Sequence, residues 1–337
     1  MIKNLTAIGF RCFREIRVEP LTRVNLFVGE NNAGKTSLLE AVELLAVGGI
    51  EGLTRSSVRR DEQILGRAES GEEFKEHFID PSHLFFGHDL QPGAFFEVKG
   101  DGFGRIACTV EKIAGGRQAL RFYSERENTK RRLILSPQGG VLRPQPPSRR
   151  LPEASRPRVN FFVAESSDLS NLFQLWDPLV LTPEEEEVNN ALRIIEPRVD
   201  RMAFRTSAPV VKLKDVKQVL PLGSLGGGMR HLLALVLNLL SARGGVLLVD
   251  EIDTGLHYSV MVDMWRLLIE SAKRLDIQVF VTTHSLDCVR ALARLRKKYP
   301  ETAAEVTVHR VEKDAAKTVV YDADEIVVAA DSHIEVR

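Results

Sequence analysis

Gly29-Glu30-Asn31-Asn32-Ala33-Gly34-Lys35-Thr36 separates two different hydrophobic periods. Before it, Arg23–Val28 reads as a short apolar strand. After it, Leu38, Leu39, Val42 and Leu45 recur at helical spacing, and Gly48-Gly49 closes that helix. Glycines at such a junction let backbone N–H groups approach an anion with no side chain intervening, and the following helix aims its positive end at the same place. Lys35 reaches the outer phosphates of a bound nucleotide in such a loop, and the Thr36 hydroxyl ligates Mg2+. An ordinary Gly-rich turn is the plain alternative, and the strand before and helix after argue against it. The candidate nucleotide ligands are therefore Gly29, Asn31, Asn32, Ala33, Gly34, Lys35, Thr36 and Ser37.

Downstream the sequence offers partners for such a loop. Val246-Leu247-Leu248-Val249 is a buried strand that ends in Asp250-Glu251. Ligands gather at the carboxyl ends of strands in an open α/β sheet. There Asp250 would hold Mg2+ and Glu251 would polarise the attacking water. Acids often end strands, so the pair gains meaning only from the phosphate loop. Thirty-four residues after Asp250 comes His284, in Val279-Phe280-Val281-Thr282-Thr283-His284-Ser285. One strand–helix–strand crossover fits that interval and brings His284 to the same sheet edge, where an imidazole can bond a γ-phosphate. A lone histidine is more often a surface or satisfied core residue, and the address is what distinguishes this one. A second glycine cluster, Gly223-Ser224-Leu225-Gly226-Gly227-Gly228, opens another helix that can also receive a phosphate.

The remaining chain bounds the reading. Lys+Arg and Asp+Glu balance at 46 each over 337 residues, so net charge singles out neither nucleic acid nor an acidic membrane. Residues 117–158 are the exception, with eleven Lys/Arg against three Asp/Glu. They read either as a solvated loop and strand face or as a DNA-binding surface. Three scattered cysteines, Cys12, Cys108 and Cys288, suit a reducing compartment. The N-terminus shows no leader peptide and no stretch approaches the roughly 18 apolar residues of a membrane span, so a cytoplasmic protein is expected. Strands are expected at Leu5–Phe10, Ile16–Val18, Phe95–Val98, Ile106–Glu111, Ala119–Tyr123, Arg132–Leu135 and Val159–Val163. Thr182-Pro183 followed by four glutamates reads as a solvated helix start running to Pro197. Regular strand–helix alternation in the last third implies a parallel, buried sheet. The expected fold is α/β, a P-loop NTPase with a mainly parallel sheet flanked by helices plus an antiparallel β lobe. One composite domain is expected over 1–337, with 51–158 as an inserted antiparallel β/loop region and 159–337 as the second half.

The order of these motifs resembles the ABC-type ATPases of the SMC/RecF branch, and among them the OLD-like AAA-type ATPases. Ile8-Gly9-Phe10-Arg11-Cys12-Phe13 is similar to their N-terminal strand–turn, and Gly29–Thr36 to their Walker A loop. Gly223–Arg230 stands where they carry the signature, Asp250-Glu251 at Walker B, Asp253–His257 at the D-loop and His284 at the switch histidine. The resemblance covers about 1–50 and 160–315. It implies a head-to-tail homodimer in which each ATP lies between one chain's Walker A and the other chain's Ser224 and Gly226. It also implies Arg11 at the nucleotide phosphates and a Q-loop glutamine after Val159–Val163, for which Gln174 is the nearby candidate. The signature departs from the transporter pattern. About 190 residues without heptads lie between Walker A and the signature, so a coiled-coil arm is not expected, and the 53 residues after His284 are too few for a Toprim domain. Three functions follow. The first is Mg-dependent ATP hydrolysis driving a dimer switch for a separately encoded effector in anti-phage defence. The second is a DNA-repair or DNA-clamping ATPase that binds duplex through 117–158. The third is a nucleotide sensor with little turnover.

Overall fold

The structure is a computed structural model that describes residues 1–65, 77–136, 139–142, 157–163, 169–206 and 208–332. Its chain divides into two compact units: residues 1–21, 32–157 and 311–318 form the first, and 22–31, 158–310 and 319–337 the second.

The first unit opens with β1 (Leu5–Phe10) and β2 (Phe13–Val18). After β3 (Val24–Val28), which belongs to the second unit, the chain continues with α1 (Lys35–Val47) and α2 (Gly49–Arg59). Short strands β4 (Gln63–Leu65) and β5 (His77–Ile79) come next. They are followed by the meander β6 (Phe95–Gly100), β7 (Gly104–Lys112), β8 (Gln118–Ser124) and β9 (Thr129–Ile134), then by β10 (Val141–Leu142). The main sheet runs β2-β1-β6-β7-β8-β9 and is antiparallel throughout. Alternation sets its inner face: in β7, Ile106, Cys108 and Val110 are buried while the residues between them are partly exposed. Three meander strands cover the stretches the sequence reading set, while the fourth starts three residues earlier than expected, at Thr129, and ends at Ile134 rather than Leu135. The N-terminal hairpin joins the same sheet through Thr6↔Lys99 and Ala7↔Val98. The helix α2 was not foreseen, because Gly49, Gly52 and a run of Thr, Arg and Ser residues carry little helical signal.

The second unit holds the parallel sheet. After β11 (Val159–Val163) come α3 (Leu169–Trp176) and α4 (Pro183–Leu192). A three-stranded antiparallel sheet follows, β12 (Val199–Arg205), β13 (Ala208–Leu213) and β14 (Val219–Pro221). Then strands and helices alternate: α5 (Gly227–Ser241), β15 (Val246–Asp250), α6 (Met261–Arg274), β16 (Gln278–Thr282), α7 (Leu286–Lys298), α8 (Pro300–Ala303), β17 (Val306–Arg310), β18 (Val319–Tyr321) and α9 (Ala323–Asp331). The sheet order is β11-β15-β16-β3-β17-β18, with only β18 antiparallel to its neighbour. Every residue of β3 and β16 is buried, which explains why both are mostly apolar. Asn25 is the polar exception in β3. Its amide donates to the Thr22 and Val279 carbonyls and its oxygen accepts from Thr22 N–H, so burial leaves it satisfied. The helix opened by Pro183 stops at Leu192 rather than at Pro197, and Arg193 turns its guanidinium onto the Val199 and Asp200 carbonyls. Among the described residues no helix is long and apolar enough to cross a membrane.

Candidate nucleotide site

The phosphate loop leaves β3 and enters α1 through backbone conformations that side chains avoid. Gly29, Asn32 and Gly34 have φ of 146°, 60° and 102°. Such a succession turns consecutive N–H groups toward one concavity. Gly34 also caps α1, and a Cβ there would lie 2.4 Å from the Phe13 ring and 2.7 Å from the Cys12 Sγ. Only glycine fits, so the β1–β2 turn holds the loop's closing residue in place. The first turn of α1 contains no acidic residue. Lys35 and Thr36 are its first two residues, Lys35 buried and Thr36 half-buried, with Ala33 and Ser37 buried and Asn31 and Asn32 exposed.

At the sheet edge the register aligns the candidate residues of the second unit. Val249 pairs with Val281 and Thr282 with Phe27, so Asp250, Thr282 and the end of β3 lie at one level across three neighbouring parallel strands. Thr282 ties the edge together. Its hydroxyl donates to Asp250 Oδ1 at 2.5 Å and accepts from Glu251 N–H at 2.9 Å. Glu251 has φ of 56°, an unusual conformation for a glutamate, and its N–H bond to Thr282 is one of the contacts that hold it there. Its carboxylate lies 2.9 Å from His284 Nε2, with both side chains more than a third exposed. The Thr283 hydroxyl bonds Asp253 in the same turn. A carboxylate facing an imidazole on an open strand edge can orient a water molecule and accept its proton. Sequence reasoning quoted Thr282 and Thr283 without giving them work. The signal was a pair of hydroxyls where an apolar strand meets a histidine.

The glycine cluster lies after β14. Ser224 is exposed and its hydroxyl donates to the Pro221 carbonyl at 2.7 Å. Gly226 and Gly227 are exposed at the start of α5, and a Cβ on either would meet nothing within 4 Å. Arg11, which the resemblance sets at the phosphates, is 6% exposed. Its guanidinium meets Glu40 at 3.1 Å, the His83 carbonyl at 3.1 Å, Glu62 and Ser56. Gln174 is exposed on α3, and residues 164–168 between it and β11 lie outside the described residues. Of the basic stretch, Arg121, Lys130, Arg131 and Arg132 are exposed on β8 and the edge strand β9, while 143–156 lie outside the described residues.

The chain is similar to several known proteins. Residues 24–287 match the family model described as "AAA domain, putative AbiEii toxin, Type IV TA system". An "ATP/GTP phosphatase" of Helicobacter pylori is 24% identical over 334 residues, covering 87% of each chain. The DNA replication and repair protein RecF of Thioalkalivibrio sulfidiphilus is 46% identical over 48 residues, 14% of this chain and 13% of its own. Among solved structures, an Smc head bound to the C-terminal winged-helix domain of ScpA superposes with a TM-score of 0.53 at 15% identity, covering 95% of this chain and 97% of that one. An Smc head with an extended coiled coil, bound to a ScpA C-terminal domain and derived from Pyrococcus furiosus, gives 0.52 at 13% identity and covers 99% of both. The strand–loop–helix at Gly29, the acids that end β15 and the match over most of the length lead to one conclusion: the chain belongs to this AAA-domain family and has an SMC head-like α/β fold.

Proposed function

We propose that this chain hydrolyses ATP with Mg2+ and closes in a head-to-tail pair of copies while doing so. The observation that carries the reading is the Glu251–His284 contact at 2.9 Å, built on Thr282 and aligned with the strand that feeds the phosphate loop. In this reading the loop's N–H groups, Lys35 and the start of α1 hold the triphosphate. Thr36 and Asp250 offer the hard oxygen donors that suit Mg2+, and the ion neutralises charge on the transferred phosphoryl group when bound. Glu251 orients the attacking water and takes its proton, and His284 fixes the direction of that carboxylate and bonds the terminal phosphate. Ser224 and Gly226 serve the nucleotide of the second copy. Room around Gly226 and Gly227 supports this, since packing within the chain gives Gly227 no reason to lack a side chain. The name of the Helicobacter pylori relative supports triphosphate hydrolysis. The family's toxin–antitoxin description and the ScpA-bound Smc heads support action with a separately encoded protein, here an effector in anti-phage defence.

Steady-state ATPase assays with and without Mg2+ test the reading. Turnover should need Mg2+, and Lys35→Ala should abolish nucleotide binding. Glu251→Gln should bind ATP and accumulate as a dimer by light scattering. A Glu251→Gln protein that turns over at the parent rate sinks the proposal and favours a nucleotide sensor. The exposed row Lys130, Arg131 and Arg132 favours a second reading, duplex binding. In that case DNA stimulates the ATPase and added salt removes the effect.

A further inference from the structure

His231 lies in α5, four residues beyond the glycine that starts it, and is 6% exposed. Its ring stands edge-on to Phe162 of β11 at 5.2 Å. The imidazole also hydrogen-bonds the backbone of Ile252, the residue immediately after Glu251. Burial pushes its pKa down to about 4, so at neutral pH the ring carries one N–H. That N–H goes to the Ile252 carbonyl and leaves Nε2 as an acceptor, buried and without a hydrogen-bond partner among the described residues. The Ile252 N–H in turn donates to the Thr282 carbonyl at 3.1 Å. The residue after Glu251 is thus clamped on one side by the strand that leads to His284 and on the other by α5.

A second contact joins the same elements. A Cβ on Gly228 would lie 3.0 Å from the Gly255 carbonyl oxygen, so the first turn of α5 rests directly on the far end of the Glu251 turn. The helix therefore touches that turn at Ile252 and at Gly255, and its exposed N-terminal glycines are the part left open to another molecule. Leucine would fill the His231 position and remove the unpartnered Nε2, but it would leave the Ile252 carbonyl without the donor that reaches it from α5.

We propose that His231 is a positioning residue that makes the direction of the Glu251 carboxylate depend on the placement of the signature helix. The inference rests on the reading above, in which a second copy's nucleotide engages Ser224 and Gly226. Engagement there shifts the start of α5, and the His231–Ile252 bond and the Gly228–Gly255 contact carry that shift to the turn.

The test pairs His231→Leu, which removes the donor, with His231→Asn, whose amide can replace the N–H that bonds Ile252. His231→Leu should lower kcat roughly tenfold with KM for ATP within about twofold, while His231→Asn stays within about threefold of the parent in both. Both should melt within about 4 °C of the parent. Amide exchange over residues 250–255, followed by mass spectrometry, should quicken in His231→Leu and not in His231→Asn. Parent kcat in His231→Leu, or equal losses of activity and melting temperature in both variants, overturns the role. So does unchanged exchange over 250–255 in His231→Leu, and this arm decides the matter even if turnover proves absent. Glu251→Gln in the same assay keeps the two failures apart. If it retains turnover, the hydrolysis reading fails; if it is dead while His231→Leu is intact, only the role of His231 fails.

Discussion

Two sets of carboxylates, one on α1 and one at the end of β15, have different surroundings. Glu40 and Glu43 lie on α1, with side chains 0% and 2% exposed. Arginines meet them: Arg11 and Arg60 reach Glu40 at 3.1 and 2.7 Å, and Arg59 reaches Glu43 at 2.6 Å. Burial still pushes the Glu43 carboxyl up against the pull of Arg59. Asp250 and Glu251, at the end of β15, instead meet a threonine hydroxyl and an imidazole, and the Glu251 side chain is 38% exposed. Full pairing with guanidinium uses a carboxylate as framework. A carboxylate that is partly exposed beside a hydroxyl and an imidazole stays within reach of a substrate. Charge type alone does not distinguish the two sets; burial does.

The largest effect is expected from Glu251→Gln. Removing a positioned general base should lower kcat by about 100-fold to 10,000-fold with stability unchanged. Single-turnover ATP hydrolysis and thermal melting, measured together, check it. A protein that loses stability and keeps its rate would place Glu251 in the framework class. Glu40→Ala should do the reverse. It leaves Arg11 buried beside Glu62 alone among carboxylates and strips Arg60 of its 2.7 Å partner, so unfolding free energy should fall by about 3–5 kcal/mol in urea titrations.

A third effect follows from pH. Burial pushes the His231 imidazole down to about 4 from an ordinary value near 6.5. The folded state keeps it neutral while the unfolded chain takes up a proton as pH falls below about 6.5. Stability is therefore lost on acidification from about 6.5 down to about 4, by roughly 3 kcal/mol, and is fully present above that window. Urea midpoints at pH 7 and pH 4, for the parent and for His231→Leu, isolate this contribution. The difference between the two proteins should shift by that amount in favour of the leucine variant at the lower pH. Equal acid sensitivity in both would show that His231 is not held neutral.

The nucleotide motifs were legible because each is local. A strand, a Gly-rich loop and a helix are adjacent in sequence at Gly29, and one crossover is enough to bring Asp250 and His284 to one sheet edge. The meander strands were legible for the same reason, since alternation and turn residues are short-range signals. What escaped depends on distant partners. The pairing of β1 with β6 joins residues as far apart as Thr6 and Lys99. Glu40 and Glu43 look like solvated positions on an amphipathic helix, yet α1 is buried nearly all round and the acids go inward to meet Arg11, Arg59 and Arg60. Arg11 has a motif position that suggests phosphate, while the fold surrounds it with Glu40 and Glu62. His231 is a lone histidine in a leucine-rich helix, and only the spatial neighbour Ile252 gives it meaning.

The smallest effect sharpens the comparison from outside. Arg266 and Glu270 form an i,i+4 pair on α6 at 2.8 Å, as short as the pairs around Glu40, with side chains 43% and 49% exposed. Distance therefore matches and burial does not. In water-rich surroundings the Coulomb gain is small, ordering two long side chains opposes it, and the arginine-first order is the weaker orientation on a helix. Alanine also suits a helix interior slightly better than glutamate. Glu270→Ala should change stability by no more than about 0.5 kcal/mol, and raising the salt to about 1 M should erase even that. Guanidinium would supply salt of its own, so the measurement belongs in urea. If Glu270→Ala cost as much as Glu40→Ala, ion pairing by itself would explain the stability around α1, and burial would add nothing to it.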